Sequence, residues 1–143
     1  MIRAIVKEGR WEERGAEDYL AGVIIERRDK IVRYYLSRIN PVDGFELSGR
    51  SLQFTNLGVQ AGLAPACDYE YEWYRFDNAT QKAAPLGPRG STGETALTVP
   101  EDDTPFLMVR ISSNCPQQPE WAKPVAVYLR NGASPQIVGI ERH

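Results

Sequence analysis

Short segments rich in β-branched and aromatic residues alternate with turn-forming residues from Ser51 to the C-terminus. The chain has ten prolines and twelve glycines, and many of them stand at the ends of these segments. Proline cannot donate a ladder hydrogen bond and glycine tolerates turn conformations, so both are common where strands end. Closely spaced short strands are typical of a sandwich or a barrel. We therefore predict a mainly β, antiparallel β-sandwich with strands at 51–56, 69–76, 95–99, 106–112, 124–130 and 136–141.

The most aromatic segment, 67–76, has two different faces when it is extended, because alternate side chains of a strand share a face. Tyr71 and Trp73 lie on one face, and Glu70 and Glu72 lie on the other. Burying two glutamates without partners would cost several kcal/mol. We therefore expect Trp73 and Tyr71 to face the core and the two glutamates to face water.

The N-terminal part of the chain is compatible with two structures. Segments 19–26 and 31–39 are apolar and flank the charged residues 27–30. Valine and isoleucine are frequent in these segments and Gly22 interrupts a helical pattern, so we favour a hairpin that turns at 27–30. The alternative is an α+β fold with a helix at about 17–38, since the apolar residues can also be placed on one helical face.

The division into domains follows from these assignments. Residues 2–7 are predicted to form a short strand, and 40–44 are predicted to form a turn or linker by their composition. Residues 1–44 would then be an N-terminal strand and hairpin extension. Residues 45–143 would be the β-sandwich domain.

The second of these parts resembles a known class of domains. The sequence YEWYRF, 71–76, has a tryptophan where the third strand of immunoglobulin-like, fibronectin-III-like or PKD-like sandwiches carries one in mid-core. The later runs ALTVP, FLMVRISS and KPVAVYLR resemble the strands that follow it in such domains. The resemblance covers about 45–143. It implies an antiparallel immunoglobulin-like β-sandwich used for binding or spacing, and it implies no site residue.

The sequence departs from the antibody pattern in two ways. Cys67 and Cys115 do not stand where the disulfide between the two sheets stands, and Tyr128 does not stand where a tyrosine corner requires it. The two cysteines leave two alternatives, a disulfide or two free thiols. A disulfide would close a loop of about 50 residues and stabilise the fold by about 4 kcal/mol in the loop-entropy model.

The net charge and the hydropathy of the chain restrict the kinds of partner that it can bind. The net charge is −2 and no part of the chain is a basic patch, so we expect no nucleic acid partner. No run approaches the roughly 18 to 20 apolar residues of a membrane helix, so we expect no membrane insertion. The N-terminus lacks the apolar core of a signal peptide. An intracellular protein and an extracytoplasmic domain cut from a longer exported chain are the two alternatives for its location.

The sequence offers little catalytic chemistry. Its only histidine is the terminal His143, which disfavours His-dependent triads, and two cysteines with that histidine do not make a usual zinc site. We expect no cofactor and no metal. Glu70 and Glu72 would be roughly 7 Å apart on a strand. A carboxylate-dependent hydrolase is therefore one alternative function.

The favoured function is a non-catalytic binding or spacer module with a protein or glycan partner. A further alternative is a structural subunit that forms a homo-oligomer through apolar residues of the N-terminal hairpin. Contact residues are expected in polar connecting segments and loops, because these present side chains to partners. The candidate binding residues are Trp11, Trp121, Arg89, Asp102 and Asp103.

Overall fold

The N-terminal residues form helices rather than a strand and a hairpin. In the computed structural model, which describes residues 1–9 and 15–143, α1 spans Ile2–Lys7 and α2 spans Ala16–Leu36. The predicted strand at 2–7 and the predicted hairpin are therefore wrong. The alternative helix at about 17–38 is confirmed.

The charged residues explain why the helix forms. Glu17 and Asp18 lie in the first turn of α2, where negative charge is favourable. Glu26 pairs with Lys30 at 2.7 Å in an i,i+4 arrangement. Residues 27–30 contain Arg and Lys, which are good helix formers, and no Gly, Asn or Pro to turn a hairpin. The one glycine within the helix, Gly22, lowers helix stability by only about 1 kcal/mol relative to Ala.

The chain divides into two units, Met1–Tyr35 and Leu36–His143. In the first unit, Arg3 forms an ion pair of 2.9 Å with Asp18, and the side chains of Val6 and Ala21 are buried. Within the described part of the chain, no helix combines the length and the apolarity needed to cross a membrane.

The second unit is built from two antiparallel sheets. The small sheet has the order β1-β2-β6, and the large sheet has the order β4-β3-β7-β8-β9, with β5 pairing with β3 as well. Its strands are β1 (Val42–Ser48), β2 (Ser51–Asn56), β3 (Asp68–Asp77), β4 (Lys82–Pro85), β5 (Gly90–Thr92), β6 (Ala96–Thr98), β7 (Phe106–Asn114), β8 (Val125–Arg130) and β9 (Gln136–Arg142). The mainly β, antiparallel, two-layer prediction is confirmed. Residues 42–44 begin β1, so the predicted linker at 40–44 is wrong.

The core lies between the two sheets. Trp73 is 7% exposed, as predicted, and its cross-strand neighbour Val109 is fully buried. The ring of Phe54 in the small sheet meets the ring of Tyr69 in the large sheet edge-on at 5.0 Å. Alternation along β3 and β7 therefore produces one apolar face that the small sheet covers.

A buried polar network explains why 40–44 is not a linker. The Nδ2 of Asn40 donates to the carbonyl oxygens of Ile111 and Lys123 at 3.0 and 2.9 Å, and its Oδ1 accepts from Ser113 Oγ at 2.8 Å. Asn40 is 3% exposed, and these bonds offset the cost of burying its amide. Arg142 of β9 donates to the carbonyl oxygen of Val42 at 2.8 Å, which joins the two sheets.

Trp121 fills the end of this core. It lies in a 3₁₀ helix, Pro119–Ala122, and is 0% exposed. Its Nε1 donates to the carbonyl oxygen of Leu36 at 2.6 Å. The ring leaves no room for a side chain at Gly58, where a Cβ would lie 2.2 Å from Trp121 Cη2. The expectation of an exposed Trp121 is therefore wrong.

The two cysteines form a disulfide. Cys67 directly precedes β3 and Cys115 directly follows β7, and Asp68 and Asn114 are the last paired residues of these strands. The Cα atoms of the cysteines are 5.1 Å apart. The bond therefore closes one end of the central ladder within the large sheet, and does not join the two sheets.

We expect the disulfide to contribute about 4 kcal/mol to the free energy of unfolding, because it closes a long loop in the unfolded chain. The double variant Cys67→Ser, Cys115→Ser should lose about this amount in urea denaturation. Thiol titration of the untreated protein under denaturing conditions is the control and should find no free thiol. Two titratable thiols per chain would contradict the assignment.

We expect Gly58→Ala to destabilise the protein by about 1–3 kcal/mol, because the new methyl group overlaps the Trp121 ring. Gly22→Ala is the matched control, since a Cβ at Gly22 meets no atom within 4 Å. It should stabilise α2 by about 0.5–1 kcal/mol. Thermal and urea denaturation measure the stability of both variants. Equal stability of the two would disprove the packing of Trp121 against Gly58.

Candidate functional site

The outer face of the large sheet carries polar and aromatic side chains. Since Tyr69 and Trp73 point into the core, the alternate residues Glu70, Glu72 and Tyr74 point outward. The side chain of Glu70 is 43% exposed, as expected for a residue facing water. That of Glu72 is only 23% exposed, so it is more covered than the sequence predicts.

Arg89 lies over these two glutamates because of the way β4 and β5 share one edge of β3. β4 pairs with residues 74–77 and β5 pairs with residues 69–71, so the segment between them passes beside Glu72. The guanidinium of Arg89 is 3.5 Å from Glu70 Oε2 and 3.8 Å from Glu72 Oε2. These are long, exposed ion pairs of the kind that contribute about 0–1 kcal/mol, so Arg89 can turn to a ligand at little cost.

Glu72, Tyr74 and Arg110 form a more tightly held group. The Tyr74 hydroxyl donates to Glu72 Oε2 at 2.7 Å, and Arg110 Cζ lies 5.1 Å from the centre of the Tyr74 ring. Burial, followed by the hydrogen bond to Glu72, raises the pKa of Tyr74. The hydroxyl therefore keeps its proton at neutral pH, and its hydrogen bond orients the carboxylate of Glu72.

These side chains line a groove of about 440 Å³, which we call the polar groove. The volume is within the range of small-ligand sites. Its lining residues are Glu70, Tyr71, Glu72, Tyr74, Arg89, Arg110, Ser112, Ser113, Asn114, Ala122 and Pro124. Several hydrogen-bonding groups of both charges thus converge on one concave surface.

A larger groove, of about 770 Å³, lies at the hairpin end of β3 and β4. It is lined in part by Phe76, Ala83, Ala84, Pro105 and Phe106. A ligand site combines an apolar surface with a few convergent polar groups that fix orientation. The polar groove has the denser set of such groups, and we regard it as the better candidate.

Asp102 is held inside its own loop. Its Oδ2 accepts from Arg75 Nε at 2.9 Å and its Oδ1 accepts from the Thr104 backbone nitrogen at 3.0 Å and from the Thr104 hydroxyl. The hydrogen bonds from Arg75 and then from Thr104 lower the pKa of Asp102 to about 2. With a side chain 9% exposed, Asp102 orders the loop, whereas its neighbour Asp103 is exposed.

The other candidate binding residues are dispersed. Arg89 alone lies in the polar groove, Asp102 and Asp103 line a separate depression near Asn131, and Trp121 is in the core. Trp11 lies outside the described residues. The four candidates that the structure describes therefore do not form a single site.

Comparison with protein-family models, with curated proteins and with solved structures finds no match to this chain.

Sequence reasoning missed Tyr74, Arg110 and Ser112 as groove residues. The period of two along FLMVRISS already places Arg110 and Ser112 opposite the apolar face. The period of two does not show which strand pairs with this segment. Glu72 and Arg110 become neighbours only through the β3–β7 register.

We expect the stabilisation from Asp102 to depend on pH. Its folded pKa of about 2 lies below the ordinary 3.8, so the stabilisation is present above about pH 4 and is lost as the pH falls toward 2. Asp102→Asn should therefore lower Tm at pH 7, and the difference from the wild type should shrink between about pH 4 and pH 2. Asp103→Asn is the control. A Tm difference for Asp102→Asn that is constant over this range would refute the assignment.

Proposed function

We propose that Leu36–His143 is a non-catalytic binding module of the immunoglobulin-like type, and that its polar groove binds an uncharged saccharide. The observation that carries the proposal is the balance of charges in the groove. Glu70 and Glu72 are accompanied by Arg89 and Arg110, so the groove has no net charge to attract an ionic ligand.

The chemistry of the lining supports a ligand rich in hydroxyl groups. Carboxylates accept and guanidinium groups donate, and a ligand hydroxyl can do both, so each hydroxyl can replace one of the long Arg89 contacts. Tyr74 adds a partly exposed ring with an apolar face and a polar tip. The hydrogen bond from Tyr74 orients the Glu72 carboxylate before a ligand arrives, which reduces the entropy cost of binding.

The same lining is less suited to a protein partner. The buried centre of a protein interface is depleted in Glu and Ser and enriched in large apolar anchors. The polar groove has Glu70, Glu72 and Ser112 among its lining residues. A concave site of about 440 Å³ fits a small polar unit better than a flat patch of the area that a stable protein complex needs.

The arrangement of the glutamates favours binding over bond cleavage. A glycosidase needs one protonated carboxylic acid and one carboxylate on opposite sides of the scissile bond. Here both carboxylates lie beside the single guanidinium of Arg89 and on one face of one strand. The Tyr74 hydroxyl further holds Glu72 as an acceptor.

The disulfide supports a location in an oxidising compartment. Disulfides persist outside the cytosol and are rare in it. The Cys67–Cys115 bond is buried at the end of the central ladder, so it acts as a structural crosslink. We therefore propose that the module works in an extracytoplasmic setting, where saccharides are available as ligands.

We expect the protein to bind neutral members of an immobilised array of neutral and anionic oligosaccharides. Calorimetry with the strongest neutral binder should show that Glu72→Gln and Arg89→Ala each weaken binding about tenfold or more, because each removes a charge-assisted hydrogen bond. Glu94→Gln, an exposed change outside the groove, should bind like the wild type. Binding only to anionic sugars or to none, or equal affinity for all variants, would overturn the proposal. Release of a shortened sugar would favour the hydrolase instead.

A further inference from the structure

A second, smaller pocket has walls from both sheets. Its volume is about 330 Å³, at the lower end of the range of small-ligand sites. β2 of the small sheet, β3 of the large sheet and the short helix α3 (Leu57–Gln60) contribute to its lining, which includes Phe54, Asn56, Val59, Ala66 and Tyr69. We call it the inter-sheet pocket. No described residue lines both this pocket and the polar groove.

The side chain of Asn56 carries a buried donor without a partner. Asn56 is 4% exposed, and its Oδ1 accepts from the backbone nitrogens of Gly58 and Val59, both at 3.0 Å. Among the described residues, its Nδ2 meets no hydrogen-bond acceptor. A buried donor that makes no hydrogen bond is unfavourable and is rare in folded proteins. An acceptor supplied from outside the chain would therefore be stabilising.

The start of α3 fixes which end of this amide is free. Rotating the amide by half a turn would point its NH2 group at the two backbone N–H groups that Oδ1 now accepts from, so donors would face donors. Asn56 lines the pocket, and its unbonded end is Nδ2. The ligand that fits must therefore present an acceptor.

Tyr69 brings a hydroxyl group to the same region. Its side chain is 3% exposed, and its ring packs edge-on against Phe54 at 5.0 Å. Burial raises the pKa of Tyr69, and the neighbouring amide of Asn56 counteracts part of this rise. The hydroxyl therefore keeps its proton at neutral pH and lies close to Nδ2, although the two groups form no hydrogen bond. Because a hydroxyl can donate and accept, it can bind a second polar atom of the same ligand.

The rest of the lining selects an uncharged ligand. The described residues that line the pocket include no Asp, Glu, Lys, Arg or His. A charged group placed here would lose its water without gaining a counter-charge. Phe54, Val59 and Ala66 offer apolar surface to the remainder of the ligand.

We propose that the inter-sheet pocket binds a small uncharged ligand through an amide group. The carbonyl oxygen of the ligand accepts from Asn56 Nδ2, and its N–H donates to the hydroxyl oxygen of Tyr69. An amide fits because it carries an acceptor and a donor side by side, whereas an ester or a ketone carries acceptors alone. The site is independent of the saccharide proposed for the polar groove, so either proposal can fail without the other.

An NMR titration of the full ¹⁵N-labelled chain with N-methylacetamide tests the site. The side-chain NH2 signals of Asn56 should shift in a saturable way, with a dissociation constant of about 1–10 mM, because a probe of so few atoms binds weakly. The exposed side-chain amide of Asn78 is the internal control for general solvent effects. Acetate, which is similar in size but charged, should cause no saturable shift. Asn56 signals that do not respond to N-methylacetamide, as expected when water alone fills the pocket, would overturn the proposal, and so would equal binding of acetate.

The variant Asn56→Asp tests the donor itself. It keeps an oxygen for the backbone N–H groups of Gly58 and Val59 and replaces Nδ2 by a second oxygen. It should weaken binding of N-methylacetamide about tenfold or more, measured at the backbone signal of Val59. Asn78→Asp, the same change at an exposed position outside the pocket, should bind like the wild type.

The variant Tyr69→Phe tests the hydroxyl and still decides the question if Asn56→Asp does not fold. It keeps the ring that packs against Phe54 and removes one hydrogen-bonding group, so binding should weaken about threefold or more. Wild-type affinity in folded Asn56→Asp, or in Tyr69→Phe, would refute the assignment.

Discussion

The antiparallel pairing of β3 with β7 is the constraint on which the rest of the second unit depends. Its register sets Trp73 beside Val109 and Tyr69 beside Ser113, and the Cys67–Cys115 bond closes the ladder directly after its last pair. A shift by one residue would move every side chain of a strand to the other face. It would expose Trp73 and bury Glu72, so the core and the outer face are specified together.

The outer face acquires its chemistry from the same register. Glu72 and Arg110 are cross-strand partners, and Tyr74 lies one position further along the same face as Glu72. β4 and β5 divide the free edge of β3 between them and place Arg89 above the gap. The polar groove is thus a consequence of where two short edge strands begin and end. Its charges compensate one another, which is why we assign it an uncharged ligand.

Much of the sandwich could be predicted from the sequence because strand alternation is a local property. The strand segments from Ser51 onward and the inward position of Trp73 were readable from their period of two. The helix α2 departs from the favoured hairpin, because β-branched residues have only a weak intrinsic preference for strands that ion pairs such as Glu26–Lys30 can override.

The features that were not predictable depend on contacts between distant segments. Trp121 looks exposed in a polar stretch, and its burial requires the bare backbone of Gly58 and the carbonyl of Leu36. The disulfide forms because β3 and β7 are neighbours, a pairing that the sequence alone does not show. The sequence predicts Arg89 as a loop residue, but its position over Glu70 and Glu72 follows from the pairing of β4 and β5 with β3.

The β3–β7 register can be measured directly by nuclear Overhauser effects in isotopically labelled protein. Cross-strand partners lie about 5 Å apart, within range of the effect. The account predicts backbone contacts of Trp73 with Val109 and of Glu72 with Arg110, with the Trp73 indole near the methyl groups of Val109. A ladder that instead pairs Trp73 with Met108 or Arg110 would contradict it, since Glu72 would then lose its place on the outer face.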